Sequence, residues 1–432
     1  MRTNRMSKWT ACFRAGVIVA AAINLTSAPT RAEGQEWTRF RGPNGTGMGV
    51  GPDIPVQFTP GDYNWRVELP GTGHSSPVLW GKKLFITSAE EDKGKRHLLC
   101  LNAADGKRIW TKTYDFKTFH HHEYNTSASS TPAVDGDAVY VTWSTPDSVA
   151  VLAFDHDGNE LWKQDLGKLA IQHGAGMSPV VVGDVVVLGV YQEEEGPEGF
   201  LIGMNRKTGA KVWKIPRNRS GSAAYSTPAL YTPKDGPPQL IFTSTSNGMT
   251  SVEPKTGAIN WELPGLFTLR CNASPVIYGD LVFATAGVGG GEKQAFAVRP
   301  GSKEKHIDPK VEYKLARGPS NVPTPIVVGD LIFAWGDGGI VTCLKAGTGE
   351  QIWMDRVGGN FFGSPVCING RLYAIDAKGE VVVIEASNQF KLLGKSDLGE
   401  PSNSTPAVAG GVLYLRTISH LISVGGKKHT TL

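Results

Sequence analysis

Eight of the Ser-Pro and Thr-Pro pairs in the 432-residue chain each begin a similar stretch of sequence and set the spacing of the rest. Each pair is followed by a short apolar stretch, a tight turn such as Gly183-Asp184, and a second stretch rich in Val, Leu and Ile. Repeats spaced 40 to 55 residues apart indicate supersecondary units that bury their faces against one another. The prolines of the eight pairs are Pro77, Pro132, Pro179, Pro228, Pro275, Pro325, Pro365 and Pro406.

One complete unit runs from Ser130 to Trp162 and contains two hairpin patterns, the second of which turns at Asp157-Gly158. Its four strands form a sheet too small to bury both faces alone, so the units must pack side by side. The sequence therefore predicts an all-β fold, an eight-bladed β-propeller of four-stranded antiparallel blades. A proline suits the first strand, since that strand borders the central channel and one of its edges has no partner.

Tryptophans mark the outer strand of most units, and all of them except Trp65 follow a Thr-Gly or Asp-Gly turn. Large aromatic rings at a repeated position are expected to pack between neighbouring blades, which is a structural role. The predicted docking residues are Trp65, Trp110, Trp162, Trp213, Trp261 and Trp353.

The two ends of the chain carry complementary parts of one unit. Residues 64–70 have the pattern of an outer strand, with Trp65 in the docking position, but no inner half precedes them. The last unit starts at Thr405 and has no outer strand after Val424. The N-terminal strand is therefore predicted to complete the last blade and close the ring, which removes two exposed sheet edges.

The first residues have the pattern of a secretory leader. Four basic residues precede the apolar run 15–23, and Thr30-Arg-Ala32 provides a small-residue cleavage site. We predict a signal peptide at 1–32, an N-terminal extension at 33–63, the propeller at 64–432, and export to the periplasm or beyond the cell. An uncleaved anchor is the alternative, but the apolar run is short for a bilayer.

Charge and cysteine content narrow the set of partners. Without residues 1–32 the chain has 39 basic and 40 acidic residues, so nucleic acid is not an expected partner. No transmembrane segment is expected in the mature chain, and we expect a monomer. Outside the leader the cysteines form no CxxC pair, and we expect buried thiols, with a disulfide as the alternative. They are Cys100, Cys271, Cys343 and Cys367.

The loops that enter the inner strands are predicted to gather at one mouth of the channel and to form a ligand-binding funnel rim. A solvated rim without a ligand is the alternative. Two arginines in one funnel should repel each other, which favours an anionic or hydroxyl-rich partner. No catalytic residue is assigned, and no metal site is predicted, because consecutive residues of the loop 120–123 point in alternating directions. The predicted rim residues are His74, His122, Asn125, His173, Arg270, Asn272, Arg317 and Asn321.

The Ser/Thr-Pro inner strand and the Thr-Gly-x-x-x-Trp outer strand together resemble the PQQ-like (pyrroloquinoline-quinone) propeller repeat of quinoprotein dehydrogenases and of BamB, the lipoprotein of the outer-membrane β-barrel assembly machinery. The opening Trp37-Thr-Arg-Phe-Arg-Gly-Pro43 is similar to that of secreted members from planctomycete-type bacteria. For the dehydrogenases the resemblance implies PQQ above a calcium ion, often on an adjacent Cys-Cys pair, which this chain lacks. For BamB it implies a lipid-anchoring cysteine, which is also missing.

The expected function is therefore that of an exported binding or scaffold protein of the cell envelope, with a ligand or protein partner at the funnel mouth. No cofactor is expected. A divergent PQQ-dependent alcohol or sugar dehydrogenase is the enzymatic alternative, and a carbohydrate-binding module is the third possibility. The repeat predicts the fold far more strongly than the activity.

Overall fold

The computed structural model describes residues 36–52, 54–193, 196–219, 222–317 and 319–426. The predicted signal peptide lies outside the described residues. Regular structure within them is almost entirely β, apart from short 3-10 turns at Pro43–Gly45, Pro60–Asp62 and Glu91–Lys93. The strands form eight antiparallel sheets of four strands each, and one sheet gains a short fifth strand. This confirms the eight-bladed propeller.

Each blade runs from an inner strand at the axis to an outer strand at the perimeter. In that order, blade 1 has Val78–Trp80, Lys83–Glu90, Lys95–Asn102 and Arg108–Asp115. Blade 2 has Ala133–Val134, Ala138–Thr145, Ser148–Asp155 and Glu160–Asp165. Blade 3 has Val180–Val182, Val185–Val190, Gly199–Asn205 and Lys211–Arg217. Blade 4 has Ala229–Tyr231, Gln239–Ser244, Gly248–Val252 and Ile259–Leu263.

The second half of the ring repeats this order. Blade 5 has Val276–Tyr278, Leu281–Gly287, Lys293–Arg299 and Lys310–Lys314. Blade 6 has Ile326–Val328, Leu331–Trp335, Ile340–Lys345 and Gln351–Arg356. Blade 7 has Val366–Ile368, Arg371–Ile375, Glu380–Glu385 and Leu392–Asp397. Blade 8 has Ala407–Ala409, Val412–Arg416, His420–Gly425 and, from the other end of the chain, Tyr63–Glu68.

Ring closure follows the sequence prediction. Tyr63–Glu68 pairs antiparallel with His420–Gly425, and Trp65 lies opposite Ser423. The N-terminal strand is thus the outer strand of blade 8, which confirms closure by the N-terminal strand.

The Ser/Thr-Pro pairs form a ring of hydroxyls around the axis. In six links among the described residues, the backbone N–H of one Ser or Thr donates to the side-chain hydroxyl of its counterpart in the next blade, at 2.8–3.0 Å. One example is the bond from Ser274 N to Thr324 Oγ1. The blades converge here, so only a short hydroxyl side chain has room and can also satisfy a buried donor.

A register shift of one residue in every outer strand comes just before the docking position. Such a bulge twists the strand locally and re-aims the next side chain. Five indoles donate to a backbone carbonyl of the following blade at 2.9–3.1 Å: Trp65, Trp110, Trp162, Trp213 and Trp353. Trp261 donates instead to Gln239 of its own blade, and Tyr313 takes the docking position in blade 5, donating to Ala346 O at 2.7 Å.

The extension before blade 8 crosses the central channel, which the sequence did not indicate. We call residues 37–49 the axial segment. Thr38 O accepts from Val134 of blade 2, and the guanidinium of Arg39 donates to Pro228 O of blade 4 at 2.5 Å. Arg41 donates to Pro325 O of blade 6 at 2.9 Å, and Met48–Gly49 pairs in parallel with the inner strand of blade 7. Inner strands leave carbonyls unpaired at the axis, and a guanidinium with five donors can satisfy them.

Residues 50–52 and 54–58, which we call the seam segment, continue from the axis between blades 7 and 8. Ile54 O accepts from Tyr373 Oη of blade 7 at 2.9 Å, and Phe58 N donates to Ser396 Oγ at 2.9 Å. The docking position of blade 7 is Gly394, where a Cβ would lie 2.3 Å from Val56 O. The seam segment thus fills the space that an indole fills elsewhere.

Candidate functional site

A cavity of about 830 Å³ opens at the mouth where the loops before the inner strands converge. Its inner wall is the hydroxyl ring, and Phe40 of the axial segment lines its base. A concave site of this size at the axis of a rigid ring is a typical small-ligand site. We call it the funnel.

Seven of the eight predicted rim residues line the funnel: His74, His122, Asn125, His173, Arg270, Asn272 and Asn321. Arg317 is exposed and is not among the described residues that line it. The expected repulsion between two arginines is therefore wrong. The loop before blade 6 leaves Arg317 in solvent, and Arg270 already has a carboxylate partner.

That partner is Glu193, in the connection that follows Val185–Val190 of blade 3. Arg270 Nη2 lies 3.1 Å from Glu193 Oε1, and both side chains are largely buried. Gln172 N donates to the other carboxylate oxygen at 2.8 Å, and the guanidinium lies 5.8 Å from the centre of the Tyr225 ring. An acidic run bounded by Gly-Pro suggests a solvated loop tip, so the sequence offered no sign of this pairing.

The rim histidines are held close together. The rings of His122 and His173 are 5.1 Å apart and nearly perpendicular, and Asn125 Nδ2 donates to His173 O at 2.7 Å. Burial, with the nearby Arg270 and then His122, lowers the pKa of His173. Burial and Arg416 lower the pKa of His74 to about 3. Both imidazoles are therefore neutral at pH 7.

An aromatic pair spans the mouth between loops of blade 2 and blade 7. The rings of Tyr124 and Phe362 are 4.5 Å apart with an interplanar angle of 30°. Tyr124 is 49% exposed, so part of the pair faces solvent at the entrance. Sequence reasoning did not select either residue, although both lie in the loops it identified.

Four residues of the funnel wall carry a buried polar atom without a hydrogen-bond partner among the described residues. These atoms are His74 Nδ1, Tyr225 Oη, Arg270 Nε and Asp337 Oδ2. The other oxygen of Asp337 accepts from the backbone N–H groups of Asn321 and Val322 at 3.2 and 3.1 Å. Burial raises the pKa of the Tyr225 phenol, which keeps its proton. Buried polar groups need a hydrogen-bond partner, so these four atoms are available to a bound molecule or to ordered water in the funnel.

The described lining of the funnel offers few groups suited to a quinone cofactor. Within the described residues, no group of three or more His, Cys, Asp or Glu is placed to hold a metal ion. None of the described lining residues is a tryptophan, whose large flat ring could stack on a quinone. The four cysteines predicted to be buried are buried free thiols. A quinone bearing several carboxylates would meet only one guanidinium here, which Glu193 already neutralises.

Within the described residues, no helix has the length and apolar content needed to cross a membrane.

The eight blades and their axial funnel define a PQQ-like β-propeller. The chain belongs to the family described as outer membrane protein assembly factor BamB, whose family model matches residues 56–228, 121–310 and 309–427. It is 24% identical over 279 residues to outer membrane protein assembly factor BamB of Yersinia pestis, a match that covers 61% of this chain and 66% of that protein. The chain thus spans slightly less than two thirds of that relative.

Solved structures share the fold. BamB from Moraxella catarrhalis superposes with a TM-score of 0.55 at 15% identity, covering 85% of this chain and 99% of that one. Quinohemoprotein alcohol dehydrogenase from Comamonas testosteroni gives 0.65 at 13% identity, covering 92% of this chain and 82% of that one. An assembly factor and a dehydrogenase thus share this architecture, so the fold alone does not assign a function.

Proposed function

We propose that the protein is an exported scaffold or binding protein of the cell envelope that holds a ligand or protein partner at the mouth of the funnel. The observation that supports this most is the funnel itself, whose wall combines residues from loops of many blades with unsatisfied polar atoms. Export follows from the predicted leader at 1–32, and envelope location agrees with the name of its relatives, outer membrane protein assembly factors.

The fold prepares this site in advance. The hydroxyl ring fixes the blades at the axis, and the docking residues fix them at the perimeter, so the rim loops start from rigid positions. The axial segment lies at the base of the funnel, which leaves the rim as the approach for a partner. Preorganised contacts lose little entropy on binding, which favours affinity.

The test is photo-crosslinking with benzoylphenylalanine at Phe362 and, as a control, at Tyr278. Tyr278 ends the inner strand of blade 5 and so lies toward the opposite face. Benzophenone inserts into C–H bonds of proteins and small organic ligands alike, so the intact mass reveals an adduct of either class. We expect adducts in living cells at position 362 and not at 278. Adducts confined to position 278 would place the functional face at the opposite mouth.

We further propose that PQQ is not the cofactor of this protein. The supporting observation is the lining of the funnel, which offers one already paired guanidinium and no tryptophan among the described residues. Calorimetry with PQQ and calcium should show no saturable binding. Sub-micromolar binding together with dye-linked alcohol oxidation would support the divergent dehydrogenase instead.

A further inference from the structure

The charged groups around the funnel have an excess of carboxylates. Arg270 is the one Lys or Arg among the described lining residues, and Glu193 pairs with it at 3.1 Å. Asp337 and Glu123 also line the funnel. An anionic ligand would therefore meet carboxylates and no unpaired cation. The charges thus disfavour a ligand with negative charge.

The unsatisfied atoms of the wall include donors and acceptors. Arg270 Nε can only donate, an ionised Asp337 Oδ2 can only accept, and Tyr225 Oη can do both. A phosphate or carboxylate ligand would accept a hydrogen bond from Arg270 Nε, but its negative charge would be repelled by the Asp337 carboxylate. A hydroxyl group both donates and accepts, so a ligand or bridging water that carries hydroxyls can serve all of them after small side-chain rotations.

Two side-chain amides extend this pattern around the rim. Asn360 and Asn403 line the funnel, with Asn360 exposed and Asn403 partly buried. Each amide offers two donor hydrogens and one acceptor oxygen. Amides match the alternating donors and acceptors of vicinal hydroxyls without adding charge.

The aromatic pair supplies an apolar surface beside these polar groups. Tyr124 and Phe362 lie 4.5 Å apart at the entrance, with half of Tyr124 exposed. A sugar ring has C–H groups on its faces and hydroxyls around its edge, so one face can lie on an aromatic ring while the edge bonds to amides. The funnel of about 830 Å³ is large enough for such a molecule.

We infer that the funnel binds a hydroxyl-rich ligand without negative charge, a short oligosaccharide or the end of a glycan chain. This inference rests on the proposed function of the same cavity and specifies the class of ligand. The mixed unsatisfied atoms, the excess of carboxylates and the aromatic pair at the entrance jointly support it.

The experiment is saturation-transfer NMR and calorimetry on the mature protein. The probes are neutral trisaccharides of the glucan, xylan, mannan and N-acetylglucosamine classes at millimolar concentration, with trigalacturonate as the charged counterpart. We expect saturable binding of at least one neutral probe and none of trigalacturonate. Phe362→Ala and Asp337→Asn should each weaken binding about tenfold. Tyr278→Ala, on the opposite face, should leave the affinity within about twofold.

Other outcomes separate the two proposals. Tight binding of trigalacturonate alone, or no sugar binding together with a protein adduct at position 362, overturns the glycan inference and keeps the funnel as the functional site. No sugar binding and no adduct at that position overturn both. Phe362→Leu is the control for misfolding, because leucine keeps most of the side-chain volume but lacks the aromatic ring. If the folded Leu variant binds with wild-type affinity, the aromatic contact is excluded and the inference is overturned.

Discussion

The seam between blades 3 and 4 is closed by one side chain, whereas the seam between blades 7 and 8 is closed by a length of backbone. At the first, Trp213 donates to Pro254 O at 2.9 Å and lies against Gly257. At the second, the seam segment bonds to Tyr373 and Ser396 beside Gly394.

The difference follows from where each outer strand comes from. Blade 3 takes all four strands from one stretch of chain, so one residue per repeat suffices to dock it. Blade 8 takes its outer strand from the other end of the chain, and the connection to the axis must pass through the neighbouring seam. A glycine at the docking position of blade 7 makes room for it.

Deleting residues 36–62 should have the largest effect, because it removes the axial and seam segments and keeps the outer strand of blade 8. Trp37, Ile54 and Phe58 are at most 5% exposed. Losing each such side chain costs about 2 to 5 kcal/mol, against a typical stability of about 5 to 15 kcal/mol. We expect aggregation on size-exclusion chromatography. A monomer with unchanged Tm would show that the backbone seam contributes no stability.

Trp213→Ala should come next, with Trp261→Ala as its matched control. Both remove a buried indole and should cost about 3 to 5 kcal/mol in urea denaturation. Trp213→Ala also leaves Pro254 O without its donor, whereas Gln239 Oε1 still accepts from Ser251 in the Trp261 variant. The first should therefore cost about 1 kcal/mol more. Equal losses would mean that docking is packing alone.

Gly394→Ala tests the backbone seam directly. The added Cβ would lie 2.3 Å from Val56 O, and such overpacking costs about 1 to 3 kcal/mol. Gly347→Ala is the control, since the nearest heavy atom to its Cβ is 3.8 Å away. Differential scanning calorimetry should show a lower Tm only for the first. If both variants have the same Tm, the seam segment can move aside without loss of stability.

Thr324→Val should have the smallest effect on stability. It tests the hydroxyl ring, which links neighbouring blades at the axis. It removes the acceptor of Ser274 N and should cost about 1 to 2 kcal/mol. Thr285→Val is the control, because the buried Thr285 hydroxyl has no partner among the described residues. That change should be neutral or stabilising by chemical denaturation. A similar loss in both variants would rule out a specific role for the ring.

The blades could be predicted from the sequence because the same pattern occurs in each repeat, and each copy confirms the interpretation of the others. The Ser/Thr-Pro pairs located every inner strand, and Trp65 identified the strand that closes the ring. The hydroxyl partners themselves were not foreseen, since they depend on contacts between units.

The axial segment, the seam segment and the funnel side chains each occur once in the chain, so no second copy of their sequence indicated their structure. Arg39 and Arg41 look like ordinary surface residues in the sequence, yet both are buried at the axis, where burial lowers each guanidinium pKa to about 9. In the funnel, residue type indicated which loops mattered, but the direction of each side chain depended on distant partners. Glu193 turned toward Arg270 for this reason, while Arg317 remained in solvent.

The axial and seam segments also govern the order in which the molecule can fold. Phe58 bonds to a residue 338 positions later, and Ile54 to one 319 positions later. The first residues of the propeller to leave the ribosome thus wait for the last blades before they find their partners. Contacts so distant in sequence slow folding and make it cooperative over the whole ring. The chain therefore cannot complete its fold until its C-terminal blades are available.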